Sequence, residues 1–274
     1  MADDPVLFDL DSSGVATITL NRPDQMNACS GDLLTQLGQL YRRCDADDAV
    51  RAVVVTGAGR AFCAGADMSD AAKTFDLSAG GGLEDFSAAG IDFPAFRIRK
   101  LVVAAVNGHA IGIGMTLAMQ CDIRIFANEG KYGIVQVRRG VVGDAYSHWT
   151  MVRLVGLSRA AEIMLTGRTF KGDELERLGV ANQIRPAREV LDTALEIATD
   201  SAIHAAPLSV ALSKRLLWQS TELSAEQVER RETEIHKHIM TRPDAIEGPV
   251  AHMERRTPNW SLRVSRDWPD WPDD

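Results

Sequence analysis

The segment that decides the fold of this chain covers residues 103–125 and reads VAAVNGHAIGIGMTLAMQCDIRI. It begins inside the continuous apolar run of residues 101–106 (LVVAAV), which is typical of a strand buried on both faces of a sheet. A glycine-rich turn and a helical stretch follow, and residues 121–126 (CDIRIF) predict a second buried strand. A strand, a crossover helix and another strand predict an α/β core with a largely parallel sheet.

In the sequence before this segment, further strands and a helix are predicted. Residues 51–56 (RAVVVT) form another apolar run, which leads into a second glycine-rich segment, residues 57–68 (GAGRAFCAGADM). Residues 6–10 and 15–20 alternate apolar and polar side chains around a turn, and this pattern predicts a hairpin. Apolar residues spaced three and four apart after Ser30, a candidate N-cap, predict an amphipathic helix.

The C-terminal part is predicted to be mainly helical, because strand signals nearly vanish after about residue 145. Helical patterns cover residues 146–155, 158–165, 189–203, 206–219, 225–240 and 243–254. We therefore expect an α/β core in residues 1–200 and a C-terminal helical trimerisation region in residues 201–274. Residues 73–94 form the main irregular stretch, and we interpret them as a mobile lid over a substrate pocket.

The composition argues against several classes of function. The chain has 274 residues, of which 45% are hydrophobic and 25% charged, with a formal net charge of −8 and a pI of about 5.3. Nucleic acids and anionic membranes require a basic face, so neither is expected as the main partner. We expect no signal peptide and no membrane span. The four scattered cysteines predict reduced thiols in a cytoplasmic protein and no metal site.

Several segments, taken in order, resemble the enoyl-CoA hydratase/isomerase (crotonase) superfamily. Residues 18–27 (ITLNRPDQMN) resemble the family's opening strand and turn, residues 57–68 its first oxyanion-hole motif, and residues 103–125 its second. Residues 244–258 (DAIEGPVAHMERRTP) resemble its C-terminal signature, so the match spans nearly the whole chain. The resemblance implies a ββα spiral core, an acyl-CoA thioester as substrate, and a homotrimer or dimer of trimers.

The resemblance also assigns roles to individual residues. The backbone N–H groups of Ala66 and Ile113 would hold the thioester oxygen, since fixed amide donors suit a developing enolate oxygen. The family usually has glycine where Ile113 stands, so we expect Ile113 to adopt ordinary backbone geometry and to narrow the pocket. Arg22 would either meet a CoA phosphate or remain a solvated turn residue. Positions that resemble those lining the CoA and acyl sites are Arg22, Gln25, Met26, Ala28, Ala64, Asp67, Met68, Gly112, Thr116 and Gln136.

Two glutamates that hydratases of this family use are absent from this sequence. The first position is occupied by Thr116 and the second by Gln136. Neither side chain titrates near pH 7, so neither can act there as a general base. Loss of a general acid–base group typically costs about 10²–10⁴-fold in rate. The sequence therefore argues against the ordinary two-glutamate hydration mechanism.

Asp144 is the remaining candidate for acid–base catalysis. Its position resembles the one used by single-acid isomerases, and also that of the nucleophilic aspartate in a CoA-thioester dehalogenase. In an apolar pocket the pKa of this carboxyl would be raised, and it could move a proton between two carbons of an enolate. Two competing interpretations stay open, namely that Asp144 caps the following helix or pairs with His148.

The sequence thus favours a double-bond isomerase-type reaction on an unsaturated acyl-CoA, with Asp144 moving the proton. Hydration stays possible if the predicted lid supplies a carboxylate, for which Asp76, Glu84 and Asp85 are available. Two further functions stay open, namely thioester hydrolysis or dehalogenation with Asp144 as nucleophile, and acyl-CoA binding without catalysis. No metal or redox cofactor is implied, because neither a ligand cluster nor a dinucleotide fingerprint is present, and coenzyme A arrives as part of the substrate.

Overall fold

The computed structural model describes residues 4–69 and 86–270. Within these residues the strands are β1 (Val6–Leu10), β2 (Val15–Leu20), β3 (Ala52–Gly57), β4 (Ala61–Cys63), β5 (Leu101–Val106), β6 (His109–Ile111), β7 (Ile123–Ala127), β8 (Tyr132–Gly133) and β9 (Gln183–Arg185). The larger sheet has the order β1-β2-β3-β5-β7-β9, and every neighbouring pair except β1–β2 is parallel. The predicted α/β fold class is confirmed.

Both faces of the larger sheet are covered, which explains the continuous apolar runs in its central strands. Alternate residues of β3 point to opposite sides, with Val53 and Val55 in one hydrophobic cluster and Ala52 and Val54 in another. Helix α5 (Val190–His204) covers the second side with alanines four residues apart at 194, 198 and 202. Small side chains at this spacing let the helix approach the sheet closely.

The smaller sheet joins β4, β6 and β8 in parallel and positions the candidate site. Its strands β4, β6 and β8 follow β3, β5 and β7 of the larger sheet, so the chain passes from the larger to the smaller sheet three times, each time from the carboxyl end of a parallel strand. The predictions from residue spacing did not include this sheet, because strands of two or three residues carry too little pattern to recognise.

The helices surround this two-sheet core. Those of the described residues are α1 (Gly31–Ala46), α2 (Ile113–Met119), α3 (Ser147–Thr166), α4 (Gly172–Leu178), α5, α6 (Pro207–Ser220), α7 (Ala225–Met240), α8 (Asp244–Glu254) and α9 (Val264–Asp267). The Ser30 hydroxyl accepts the N–H of Leu33 at 3.2 Å, so the predicted N-cap of α1 is confirmed. None of these helices is long and apolar enough to cross a membrane.

The predicted helical C-terminal part is confirmed, with local corrections. The predicted gap between residues 155 and 158 is a kink at Gly156 inside α3, where φ is +76° and ψ is 162°. Helix α4 and strand β9 were not predicted. The division at residue 200 stays a prediction, and α5 crosses that position while packing on the sheet. Of the predicted lid, residues 86–94 form turns and bends, and Asp76, Glu84 and Asp85 lie outside the described residues.

Candidate active site

Two glycine segments leave the smaller sheet side by side. Strands β4 and β6 pair in parallel with Cys63 opposite Ala110, so residues 65–66 and 112–113 emerge together. A Cβ built on Gly65 would lie 3.1 Å from the carbonyl oxygen of Ile111, and one built on Gly112 would lie 3.9 Å from the Cα of Gly65. Both glycines have positive φ, +110° and +57°. The close approach and the left-handed backbone explain why glycine occupies these positions.

The backbone N–H groups of Ala66 and Ile113 lie on these two segments. Within residues 4–69 and 86–270 neither N–H donates a backbone hydrogen bond, whereas the adjacent N–H groups of Gly112 and Asp67 do, to Gly133 at 2.8 Å and Cys29 at 2.9 Å. Ile113 is the first residue of α2, so the helix itself provides no acceptor for its N–H. The two segments therefore present amide donors that could together hold a developing negative charge on oxygen.

The side chain of Ile113 fills space next to this pair of donors. Its backbone is helical, as expected from the β-branched side chain, and 8% of the residue is exposed. A Cβ built on Gly90 would lie 3.1 Å from Cδ1 of Ile113 and 3.9 Å from Cδ1 of Leu34. A cavity of about 460 Å³ borders Leu34, Gly90 and Tyr146. The isoleucine side chain therefore fills space between α2 and Gly90, and its predicted effect on the width of an acyl pocket stays a prediction.

Asp144 meets the two residues at the glutamate positions of the family. Its Oδ1 accepts a hydrogen bond from the Thr116 hydroxyl at 3.1 Å and from the Gln136 side-chain amide at 3.0 Å. Thr116 lies in the first turn of α2, and Gln136 begins the 3₁₀ turn Gln136–Arg139. A Cβ built on Gly112 would lie 3.9 Å from the Gln136 amide group, which places this cluster against the second glycine segment.

Burial raises the pKa of the Asp144 carboxyl above its ordinary value, because a charged carboxylate loses hydration in partly buried surroundings. The hydrogen bonds from Thr116 and Gln136 act in the opposite direction, since they stabilise the ionised form. A carboxyl under these opposing influences can both accept and return a proton.

The interpretation of Asp144 as a helix cap is wrong. Helix α3 begins at Ser147 and its N-cap is Tyr146, which accepts no capping bond through its side chain. Ala145 and Tyr146 both have left-handed backbones, with φ of +47° and +64°. Such strain costs free energy and is concentrated at functional sites. Neither residue type favours this conformation, so nothing in the sequence indicated it.

Contacts from elsewhere in the fold hold this strained turn. The N–H of Ala145 donates to the carbonyl of Ala88 at 2.8 Å, and the Gln120 side chain donates to the carbonyl of Ala145 at 3.0 Å. The Asp144 carbonyl accepts the N–H of Ser147 at 2.8 Å. These bonds fix the backbone that carries the Asp144 carboxyl. No sequence pattern indicated that Ala88 and Gln120 would contact this turn.

The segment predicted to clamp CoA lies along the first glycine segment. The N–H of Ala64 donates to Met26 at 3.0 Å, and the N–H of Cys29, next to Ala28, donates to Gly65 at 2.8 Å. Gln25 is exposed, and Met68 is 46% exposed. The predicted residues therefore run from the surface to the amide donor of Ala66.

Arg22 and Asp67 form an ion pair at 2.8 Å. The Arg22 guanidinium also donates to the carbonyl of Ala28, so it is not the freely solvated turn residue of one interpretation. This guanidinium holds the pKa of the Asp67 carboxyl below its usual range. Asp67 also accepts the N–H of Ser69 at 3.0 Å.

Asn27 is a structural residue of the site that the sequence interpretation did not single out. It is fully buried with φ of +55°, and its side chain donates to the carbonyls of Ala58 at 2.9 Å and Ala61 at 2.7 Å while accepting the N–H of Arg22 at 2.8 Å. Asparagine tolerates this backbone better than most residues, and that preference was the available signal. In the part of the chain that the structure describes, no group of His, Cys, Asp and Glu side chains could hold a metal ion.

Comparison with known proteins agrees with the resemblance carried by the motifs. The chain belongs to the enoyl-CoA hydratase/isomerase family, whose model matches residues 11–263. An enoyl-CoA hydratase of Alternaria alternata is 34% identical over 257 residues, which cover 91% of this chain and 84% of that protein. A mevalonyl-coenzyme A hydratase of Aspergillus fumigatus is 33% identical over 251 residues, covering 90% of this chain and 91% of that protein.

Solved structures give the same result for the fold. A probable enoyl-CoA hydratase/isomerase from Mycobacterium abscessus has a TM-score of 0.89 and 49% identity, and the match covers 94% of this chain and 99% of that one. An enoyl-CoA hydratase from Bacillus anthracis has a TM-score of 0.86 and 28% identity, with 93% and 98% covered. The crotonase fold inferred from the motifs is confirmed.

Proposed function

We propose that this protein is a double-bond isomerase that converts a 3-enoyl-CoA into the conjugated 2-enoyl-CoA. The observation that carries the proposal is the position of Asp144. Its carboxyl is held by Thr116 and Gln136, which replace both hydratase glutamates and cannot titrate near pH 7. This leaves one acid–base group in the described cluster, and a 1,3-proton shift requires one.

The proposed reaction needs only groups of this chain and the substrate. The N–H groups of Ala66 and Ile113 would polarise the thioester carbonyl, which makes the α-proton more acidic. The Asp144 carboxylate would take that proton, leaving a dienolate whose negative charge rests on the thioester oxygen. The same carboxyl would return the proton to the γ-carbon, moving the double bond into conjugation. Each amide donor of this kind is typically worth about 2.7–4 kcal/mol of barrier.

Hydration of a 2-enoyl-CoA is the second candidate, and the names of the hydratase relatives support it. Hydration requires one group to activate water and a proton to reach the α-carbon. With Thr116 and Gln136 at the glutamate positions, Asp144 would have to perform both steps or share them with a residue outside the described cluster. This requirement makes hydration the weaker proposal for this chain.

The remaining elements of the proposal concern the working state of the protein. We infer that it acts in the cytoplasm on acyl-CoA without a separate cofactor, as a homotrimer or dimer of trimers. An apolar stripe on α8, formed by Ile246, Val250 and Met253, supports an assembly. These residues share one helical face and are 69%, 39% and 80% exposed. A face of this kind is commonly covered by another protein surface.

The test is to incubate the wild-type protein separately with a 3-enoyl-CoA and a 2-enoyl-CoA and to identify the products by mass and chromatography. The proposal predicts a 2-enoyl-CoA of unchanged mass from the first ester and slow or no water addition to the second. Efficient formation of a 3-hydroxyacyl-CoA from the second ester would establish hydration instead. Release of free CoA would favour thioester hydrolysis, and no reaction of either ester would contradict the isomerase.

A further inference from the structure

We propose that Thr116 and Gln136 are positioning residues that fix Oδ1 of Asp144 and leave Oδ2 as the oxygen that transfers the proton. The inference rests on the proposed function, because it assigns the orientation of the base that this function requires. The two residues stand where the family resemblance places acid–base glutamates. Because neither side chain titrates near pH 7, neither can transfer the proton, and we assign them the orientation of Asp144 in place of that role.

The hydrogen-bond geometry distinguishes the two oxygens of Asp144. Thr116 Oγ1 at 3.1 Å and Gln136 Nε2 at 3.0 Å both donate to Oδ1. Apart from the backbone N–H of Asp144 itself, no other group among residues 4–69 and 86–270 donates a hydrogen bond to this carboxyl. An oxygen that accepts two bonds is less available for a proton than the other oxygen of the same group.

Thr116 links the carboxyl to the segment that presents an amide donor. It is fully buried, and its hydroxyl lies 3.0 Å from the carbonyl of Ile113 as well as 3.1 Å from Asp144. A hydroxyl has one proton, so it donates to one of these acceptors at a time. An ionised Asp144 attracts that proton strongly, and a protonated Asp144 releases it towards Ile113. The Thr116 hydroxyl therefore has a hydrogen-bond acceptor both when Asp144 is ionised and when it is protonated.

The orientation of the Gln136 side-chain amide carries a free-energy cost. The residue is 6% exposed, and its Oε1 is buried with no hydrogen-bond partner in the described part of the chain. An unpartnered buried amide oxygen is unfavourable and is normally avoided. Because the amide keeps this orientation, the bond from Nε2 to Asp144 is the interaction that fixes it. The cost is consistent with a residue selected for orienting the carboxyl.

The test measures the pH dependence of kcat and KM for isomerisation in Thr116→Val, Thr116→Ser and Gln136→Leu. Hydrogen bonds from these residues favour the ionised carboxyl, so losing one should move the acidic limb of the rate profile to higher pH. We expect kcat to fall by about 10- to 100-fold in Thr116→Val and Gln136→Leu, with KM changed less than kcat. Thr116→Ser keeps the hydroxyl and should restore the wild-type profile.

Gln183→Leu is the matched control, because Gln183 lies on β9 outside this cluster and also has a buried Oε1 without a partner among the described residues. It should keep the wild-type profile, and thermal unfolding of each variant checks that it folds. Unchanged pH profiles in Thr116→Val and Gln136→Leu would overturn the inference, as would equal losses in Thr116→Val and Thr116→Ser. If Asp144→Asn retains wild-type turnover, the proposed function itself fails, and the two failures are thereby distinguished.

Discussion

At Asp144, the proposed catalytic role and the stability of the folded protein oppose each other. Burial raises the folded-state pKa of this carboxyl above the ordinary value of 3.8, and the hydrogen bonds from Thr116 and Gln136 offset only part of that effect. The folded protein therefore keeps this proton to a higher pH than the unfolded chain does. Stability consequently falls as the pH rises from about 3.8 through the folded-state pKa, and it stays lower above that pH.

Asp144→Asn should therefore stabilise the protein at neutral pH. Asparagine keeps an oxygen for Thr116 and Gln136 but carries no charge, so we expect a gain of about 0.5–2 kcal/mol, the usual range for a stabilising substitution. The gain should shrink as the pH falls through 3.8 and vanish below it, because the wild-type carboxyl is then protonated in both the folded and the unfolded state. Thermal unfolding across this pH range measures it, with Asp200→Asn, an exposed carboxyl on α5, as control. A gain that does not depend on pH would contradict the explanation.

Ile113 is predicted to limit the width of the acyl group. In Ile113→Ala the space between α2 and Gly90 should open, so kcat/KM for a branched 3-enoyl-CoA should rise relative to the linear ester by about tenfold or more. The loss of a buried side chain should cost about 2–5 kcal/mol of stability. Ile125→Ala is the matched control, since Ile125 lies in the cluster on the other side of the sheet. An equal change in substrate preference in both variants would exclude a local role for Ile113.

At the residue scale, the sequence indicated candidate site residues, which stay predictions, but it did not indicate how their side chains meet. Glycine segments and missing glutamates identified Ala66, Ile113 and Asp144 through the family resemblance. The convergence of Thr116 and Gln136 on a single oxygen depends on distances that no linear pattern contains. The strained backbone at residues 145–146 could not be predicted from the sequence either, because hydrogen bonds from residues remote in sequence hold it.

At the scale of elements, the connection between β2 and α1 places the segment predicted to bind CoA against the first glycine segment. Asn27 fixes this connection through its left-handed backbone and its bonds to Ala58 and Ala61. Through these bonds the turn that contains Asn27 helps to position the first glycine segment, which carries the N–H of Ala66. A defect there should affect both stability and binding of the CoA ester.

Asn27→Ala and Asn27→Gly separate the two contributions of this residue. Both variants lose the side-chain bonds and leave buried carbonyls without partners, at a cost of about 1–3 kcal/mol. Alanine should lose a further 1–2 kcal/mol or so, because its Cβ disfavours the left-handed conformation that glycine adopts freely. Denaturant unfolding measures both losses, and KM for the acyl-CoA should rise in both. Equal stability of the two variants would show that the backbone of residue 27 relaxes.

The helices and strands with the strongest sequence patterns were predicted most accurately. The bounds of β1, β2, β5 and α7 agree with those predicted, because the alternation in β1 and β2, the apolar run in β5 and the helical spacing in α7 were all strong. The smaller sheet, β9 and α4 were missed, because each is short and is stabilised by neighbours rather than by its own sequence. The sequence patterns predicted two separate helices where the structure has the single helix α3. Its kink lies at Gly156, the one residue at which the backbone departs from helical geometry.

At the scale of the whole molecule, the exposed stripe on α8 is expected to be covered in the proposed trimer. Ile246→Glu/Met253→Glu should shift the sedimentation mass from a multiple of 29.9 kDa to the mass of one chain. Leu7→Glu, at an exposed position of the edge strand β1, is the control and should leave the assembly intact. A wild-type protein that already sediments as a single chain would contradict the proposed assembly.

The role of Asp144 in moving the proton is best measured by the rate of 3-enoyl-CoA isomerisation in wild type, Asp144→Asn and the control Asp200→Asn at pH 7. We expect conversion by the wild type and the control, and a loss of about 10²–10⁴-fold in Asp144→Asn, the usual effect of removing a general acid–base group. Isomerisation at the wild-type rate by a folded Asp144→Asn protein would contradict the assignment of proton transfer to this carboxyl.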